Sequence, residues 1–249
     1  MSPFVKHLLC WLFGIAFVLA GWEVTALILD TTALPTPIAT IPVFLRWART
    51  LWPDFLVSLY RLVASLALGC AFGVPVGLAL GRSPRANALF APVIYILYPL
   101  PKIVLLPILL VLLGLADAPK IVLISLTIFF QVVVVMRDAA LGIPEATVLS
   151  VRSLGATRAQ LWRHVVLPAT LPDLFTTLRV SSGIAIAILF FAESIAGNTG
   201  LGYFIMESWG MVNYPRMFAG IIALAALGVI IYLVFDIAER RACAWRTGR

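Results

Sequence analysis

Residues 55–80 read FLVSLYRLVASLALGCAFGVPVGLAL, a run in which Arg61 is the sole charged residue. Roughly 20 mainly apolar residues suffice to cross about 30 Å of hydrocarbon as an α-helix. This run therefore reads as a membrane span. Within and just beyond it, Gly69, Gly73, Gly77 and Gly81 recur at four-residue spacing. That spacing stacks them near one face of a helix, where a neighbouring backbone can approach closely. The stripe predicts tight helix packing, within one subunit or across a dimer.

Working outward, similar runs occur at about 8–29, 88–113, 119–141, 175–193 and 217–237, giving about six spans in an all-α membrane protein. The composition agrees: 62% of the 249 residues are hydrophobic and 12% charged. Soluble domains carry about 25% charge, and a chain of this size cannot hide such an apolar surplus in one core. A single membrane domain over 1–249 is expected. The N-terminal run, with Lys6 ahead of it, continues to about Leu29 without an A-x-A-like cleavage site, so it reads as a retained first span. The third run carries Pro99, Pro101 and Pro107 and is expected to kink or break near Lys102.

The net charge of +7 does not point to nucleic acid. Lys and Arg are scattered between apolar runs, where they orient a membrane protein. With the N-terminus inside, twelve fall on the cytoplasmic side and four (Arg46, Arg49, Lys120 and Arg216) outside, Arg61 and Lys102 lying within spans. Both termini are thus expected in the cytoplasm. Between the first two spans, Phe44, Leu45, Trp47, Leu51 and Trp52 beside Arg46 and Arg49 suggest a short helix lying at the outer interface, or else a plain external loop.

Catalytic and metal-binding patterns are missing: no GxxxxGK[ST], HExxH or GxSxG occurs, and the two histidines and three cysteines form no cluster. Among charges at membrane depth, Glu23, Arg61 and Glu193 fit either a pathway or hydrated and paired structural positions near the outer interface. Lys102, at the expected break, is a candidate to line a pathway, because broken helices place unwound backbone around a cavity.

Residues 144–172, PEATVLSVRSLGATRAQLWRHVVLPATLP, are too polar to span and too apolar for a plain linker. They read as two short helices with Gly155 capping the first and Thr157 opening the second. Leu161, Trp162 and Val165 form an apolar stripe with Arg158, Gln160 and Arg163 around it, and Pro168 and Pro172 are expected to end the element and turn the chain back to the membrane. Such a stripe suits a protein docking surface or the inner leaflet.

Gly155, nine residues, then Val165-Val166-Leu167-Pro168 is similar to the signature G-x9-I-x-L-P of bacterial ABC importer permeases. The run RSLGATRAQLWRHVVLPATLPDLFTTLRVSSGIAI resembles the nitrate/sulfonate/taurine branch of that family. Tyr98-Pro99-Leu100-Pro101-Lys102 followed by LLPILLVLLGLADAPKI, and Ala192-Glu193-Ser194 followed by GNTGLGYFI, resemble it too. One departure stands out: the signature opens with Glu-Ala-Ala six residues before the Gly, where this chain has Leu149-Ser150-Val151, and Glu145-Ala146-Thr147 is out of register.

The resemblance implies a type I ABC importer permease fold, with a core over about 55–237 and a cytoplasmic coupling loop over about 142–172. Gly155, Ala156, Thr157, Arg158, Gln160, Leu161, Trp162, Arg163, Val165, Leu167 and Pro168 would meet the ATPase, and Lys102 and Glu193 would line the pathway of a small anionic solute. It further implies a second copy of the permease, two cytoplasmic ATPase subunits holding the ATP and Mg, an extracytoplasmic binding protein, and residence in the bacterial inner membrane. This chain itself would bind no cofactor. The rival reading from the residues is a secondary transporter not coupled to ATP, although neither a repeat nor a mid-membrane ion site beyond Lys102 supports it.

Overall fold

A computed structural model describes residues 3–246. Of the residues read above, Arg249 and the side chains of Lys6, His7, Cys10 and Arg246 lie outside the described residues. The described chain is helical, without a strand. Five helices are long and apolar enough to cross a membrane: α1 (Pro3–Leu29), α2 (Pro37–Arg82), α5 (Ala118–Leu141), α8 (Leu167–Ala196) and α10 (Tyr214–Ala242). The sixth crossing is broken, as the prolines require. Helix α3 (Pro84–Leu97) gives way to a 3-10 turn at Lys102–Leu105 and to α4 (Leu106–Leu113), with a bend of 81° between the halves. Short helices α6 (Glu145–Ser153), α7 (Arg158–Leu161) and α9 (Leu201–Gly210) complete the chain.

The glycine stripe sets the core. A Cβ placed on Gly69, Gly73, Gly77 or Gly81 would lie 2.5–3.1 Å from α5, against Ile128, Val132, Met136 and Ala140 respectively or against α5 carbonyl oxygens. These α5 residues are fully enclosed and recur every four positions, so one helix supplies a ridge and the other a groove. The packing is therefore within the subunit. Each glycine faces the residue 59 positions further along the chain, so α2 and α5 run parallel. Parallel neighbours need a return crossing between them. The broken α3–α4 pair supplies it, carrying the chain from the Arg82 end back to the Asp117 end.

Two expectations about boundaries fail. The stretch expected to lie as a separate helix at the interface is the first third of α2, which runs unbroken for 46 residues through Pro42, Pro53 and Pro75. Thr36 caps its start, accepting from the Ala39 amide at 3.3 Å, and Pro37 needs no partner in the first turn. Phe44, Trp47 and Leu51 pack into the main core with α9 and α10, which is why this part stands up along the bundle. At about 1.5 Å per residue α2 is about 69 Å long, roughly twice the hydrocarbon thickness.

The second correction concerns Pro168 and Pro172, which do not end the element. From Arg158 the chain is helical to Ala196 through a π-turn at Trp162–Val166. Proline in a helix clashes with the carbonyl four residues back, and the wider turn just before Pro168 makes room there. Helix α1 stands apart. Beyond the Trp22 indole N–H donated to Pro35 O at 3.0 Å, the Trp22–Phe218 stack and buried Ala26, its described side chains are largely exposed and apolar. Lipid is the solvent that such a surface requires.

Candidate functional site

At the Asp117 end of the bundle, Arg61 of α2 meets two carboxylates. Its Nε donates to Asp117 Oδ1 at 2.8 Å, its Nη1 to Glu193 Oε1 at 2.8 Å and to Thr199 O at 2.9 Å, and its Nη2 to Thr199 Oγ1 at 2.9 Å. Glu193 is fully enclosed, and Ser58 Oγ and the Gly202 amide also donate to it, each at 2.9 Å. The Leu201 amide closes the ring onto Ser58 Oγ, and the Gly200 amide donates to Asp54 Oδ1 at 2.7 Å. Gly200 has φ +105°, and a Cβ there would sit 2.4 Å from the Glu193 carboxyl, so the GNTGLG turn folds back over the acid only because these positions lack side chains. Lys120, counted on the outer side at the start of its span, is 1% exposed beside this cluster, donating to the Leu115 and Ala116 carbonyls. Arg61 and Lys120 thus lie beside three carboxylates, the enclosed Glu193 and the partly exposed Asp54 and Asp117.

The second candidate site is the break. The Lys102 side chain is buried and its Nζ donates to the Leu97 and Tyr98 carbonyls at the end of α3. The ammonium lies 4.8 Å from the centroid of the Phe130 ring. Among the described residues no carboxylate pairs with it. A cavity of ≈ 340 Å³ opens here between the break, α5 and α8, with Tyr98, Lys102, Thr127, Phe130, Gln131 and Ile188 in its wall. An apolar cavity of ≈ 380 Å³ lies against the same lysine, bounded by Leu97, Val104, Leu126 and Phe130. Gln131 Oε1 is enclosed and has no hydrogen-bond partner, an arrangement that costs about 1–3 kcal/mol until a donor arrives. Of the two acids and bases read as pathway residues, the structure therefore puts Lys102 on a cavity and Glu193 inside the ion cluster.

The third region is the polar loop. Gly155 has φ +83° with open space where a side chain would point, and its amide donates to Arg152 O at 2.9 Å, ending α6. A left-handed turn rather than crowding therefore favours glycine here. Thr157 and Gln160 form a reciprocal capping box that starts α7. The apolar stripe faces inward: Leu161 is buried, Trp162 packs half-buried on the main core and Val165 is half-buried. The surface left to a partner is instead Arg152, Ser153, Leu154, Gly155, Thr157, Arg158, Ala159, Gln160, Arg163 and His164, all exposed, with Ala156 and Pro168 half-buried at its margin and Leu167 exposed. Leu154, 86% exposed at the tip of the turn, was not singled out by periodicity because it sits outside the stripe.

Comparison with known proteins decides what this arrangement belongs to. The profile of the family described as "Binding-protein-dependent transport system inner membrane component" matches residues 73–242. The chain belongs to this family. Over 196 residues, 79% of this chain and 71% of the relative, it is 32% identical to the taurine transport system permease protein TauC of Escherichia coli (strain K12). It is 29% identical to the putative aliphatic sulfonates transport permease protein SsuC of Bacillus subtilis (strain 168), across 95% of this chain and 88% of that one. Among solved structures, the MetNI methionine ABC transporter in an inward-facing conformation aligns with a TM-score of 0.63 at 24% identity, covering 78% of this chain and 98% of that chain. The permease thus has the type I importer fold, and it is a multi-pass inner-membrane protein whose work depends on an ATPase chain and a binding protein. As a permease subunit it is not itself the ATPase, and the secondary-transporter reading falls away.

What sequence reasoning missed in this permease is the partnership of Arg61, Asp117 and Glu193. The first and last are 132 positions apart and lie in separately read motifs. Lone charges in neighbouring spans were the available signal, since a charge at membrane depth needs a partner.

Proposed function

We propose that the permease forms, with a second copy of itself and two ATPase subunits, the translocation pathway for a small anionic solute of the sulfonate or taurine kind. An extracytoplasmic binding protein delivers the solute. The loop over about 142–172 is the coupling element, with Gly155, Ala156, Thr157, Arg158, Gln160 and Arg163 at its contact surface and Leu161, Trp162, Val165, Leu167 and Pro168 behind or beside them. Both termini lie in the cytoplasm, as the distribution of Lys and Arg favours. ATP and Mg reside on the ATPase, and this chain binds no cofactor. ATP binding brings the ATPases together and draws the two loops inward, which tilts the spans and opens the pathway outward; hydrolysis resets it.

The observation that carries the solute class is Lys102. It is a buried cation at a helix break, in a cavity wall, with no carboxylate to neutralise it. In a region of low dielectric such a charge attracts an anion far more strongly than it would in water. The names of the relatives point the same way. The coupling half is tested by Gly155→Asp in the reconstituted complex. An Asp strains the left-handed turn at Gly155 but meets nothing, and the turn lies outside the spans, so the variant inserts normally; solute-stimulated ATP hydrolysis and uptake fall together by at least about tenfold, the equivalent of about 1.4 kcal/mol. Wild-type uptake with full ATPase binding would remove this loop as the coupling element.

A further inference from the structure

The break cavity holds a second unanswered group besides Lys102. Gln131 lies one turn beyond Thr127 on α5, and both face the cavity that Lys102 lines. The Thr127 hydroxyl is donated to Leu123 O at 3.1 Å, so it is not offered to Gln131. Two N–H groups of Lys102 are donated to the Leu97 and Tyr98 carbonyls, which leaves the third for a ligand. Gln131 Oε1 therefore stays an enclosed acceptor without a donor, beside a cavity whose lysine is an unpaired cationic donor, and a turn of the amide about its soft last torsion presents it to a ligand. Apart from Tyr98, whose carbonyl already accepts from Lys102, the rest of the wall (Leu100, Pro101, Ile103, Phe130, Ile184 and Ile188) is apolar and offers neither group a partner. Buried polar atoms in native folds are rarely left without partners, and an exception at a cavity marks where a ligand completes the set.

We propose that Gln131 is a second recognition point for the transported solute, accepting a hydrogen bond from an ammonium group carried on a short alkyl arm, while Lys102 holds the anionic head. The cavity then selects a zwitterionic aminoalkanesulfonate over a plain alkanesulfonate of the same size. The apolar wall accommodates the methylene arm. Gln131 acts as a neutral acceptor, so it favours the ammonium without adding a negative charge that would repel the sulfonate. This rests on the anionic-solute reading above, and it adds a discrimination that Lys102 alone cannot make, because both solutes carry the same head.

The test is uptake of taurine (2-aminoethanesulfonate) and of ethanesulfonate by proteoliposomes holding the full complex with its binding protein. Wild type is compared with Gln131→Met, which keeps side-chain length and removes the acceptor. The binding protein is the same in both preparations, so its own preference cancels in the ratio of variant to wild type. Expected is a fall of about tenfold for taurine, the scale of one hydrogen bond to a charged group, with ethanesulfonate within about twofold of wild type. Preserved ethanesulfonate uptake shows that the variant folds and assembles. Equal loss of both solutes, or no loss of either, overturns the role of Gln131 and leaves the anion reading standing. Transport of neither solute by wild type overturns the solute class itself, and Gln131's role with it.

Discussion

Arg61 and Lys102 are both cations buried in apolar helices, yet they are handled in opposite ways. Arg61 spends every nitrogen of its guanidinium on Asp117, Glu193 and Thr199, so its charge is matched by carboxylates in direct contact. Lys102 has backbone carbonyls and an aromatic face for company, and its charge is left over. The first arrangement holds segments together: it ties α2 to the start of α5, the end of α8 and the turn into α9. The second leaves a positive potential in a cavity. Equal burial therefore says nothing about role until the partners are counted. A paired cation marks scaffold, and an unpaired one marks ligand.

Three substitutions try that contrast. The largest effect is expected for Glu193→Leu, which strands Arg61, Ser58 Oγ and the Gly202 amide in an enclosed site. Removing one partner of a buried pair costs about 3–5 kcal/mol, so the yield of folded permease in detergent collapses. A variant that is as stable as wild type would deny the cluster its structural role. Next comes Lys102→Gln, which keeps a donor for the Leu97 and Tyr98 carbonyls while deleting the charge. Uptake of an alkanesulfonate falls about tenfold with normal thermal stability and normal ATPase co-purification. Uptake at wild-type rates under limiting solute would move the anion elsewhere. Smallest is Asp117→Asn. The Asp117 side chain is 44% exposed, so its pair with Arg61 is screened and contributes about 0.2–1 kcal/mol. Melting in detergent should barely shift, and a drop as large as that of Glu193→Leu would show that the cluster acts as one indivisible unit.

Much of this architecture is legible in the chain, for reasons that differ by region. The spans, the glycine stripe and the break at Lys102 follow from local properties: run length, four-residue spacing, and prolines that cannot donate. The turn at Gly155 and the Thr157–Gln160 box are equally local. Pro168 and Pro172 misled in the other direction, because a widened turn before α8 lets the helix run through them. Periodicity found the apolar stripe of Leu161, Trp162 and Val165, but it could not say whether the stripe faced a partner or the subunit's own core. The union of Arg61 with Glu193 is invisible to any local rule, since only the finished fold brings α2 against the end of α8.

The continuity of the chain from Arg158 to Ala196 has one more consequence. At about 1.5 Å per residue these 39 residues form a strut of about 58 Å with the capping box at one end and Glu193 three residues from the other. Had Pro168 and Pro172 broken it, a slack joint would lie between the loop and the membrane, and small displacements there would be absorbed. With the helix continuous, the capping box and the Arg61–Glu193 clasp stand at the two ends of one element. The polar loop and the clasp are thus joined through one backbone, without a relay of side-chain contacts between separate helices.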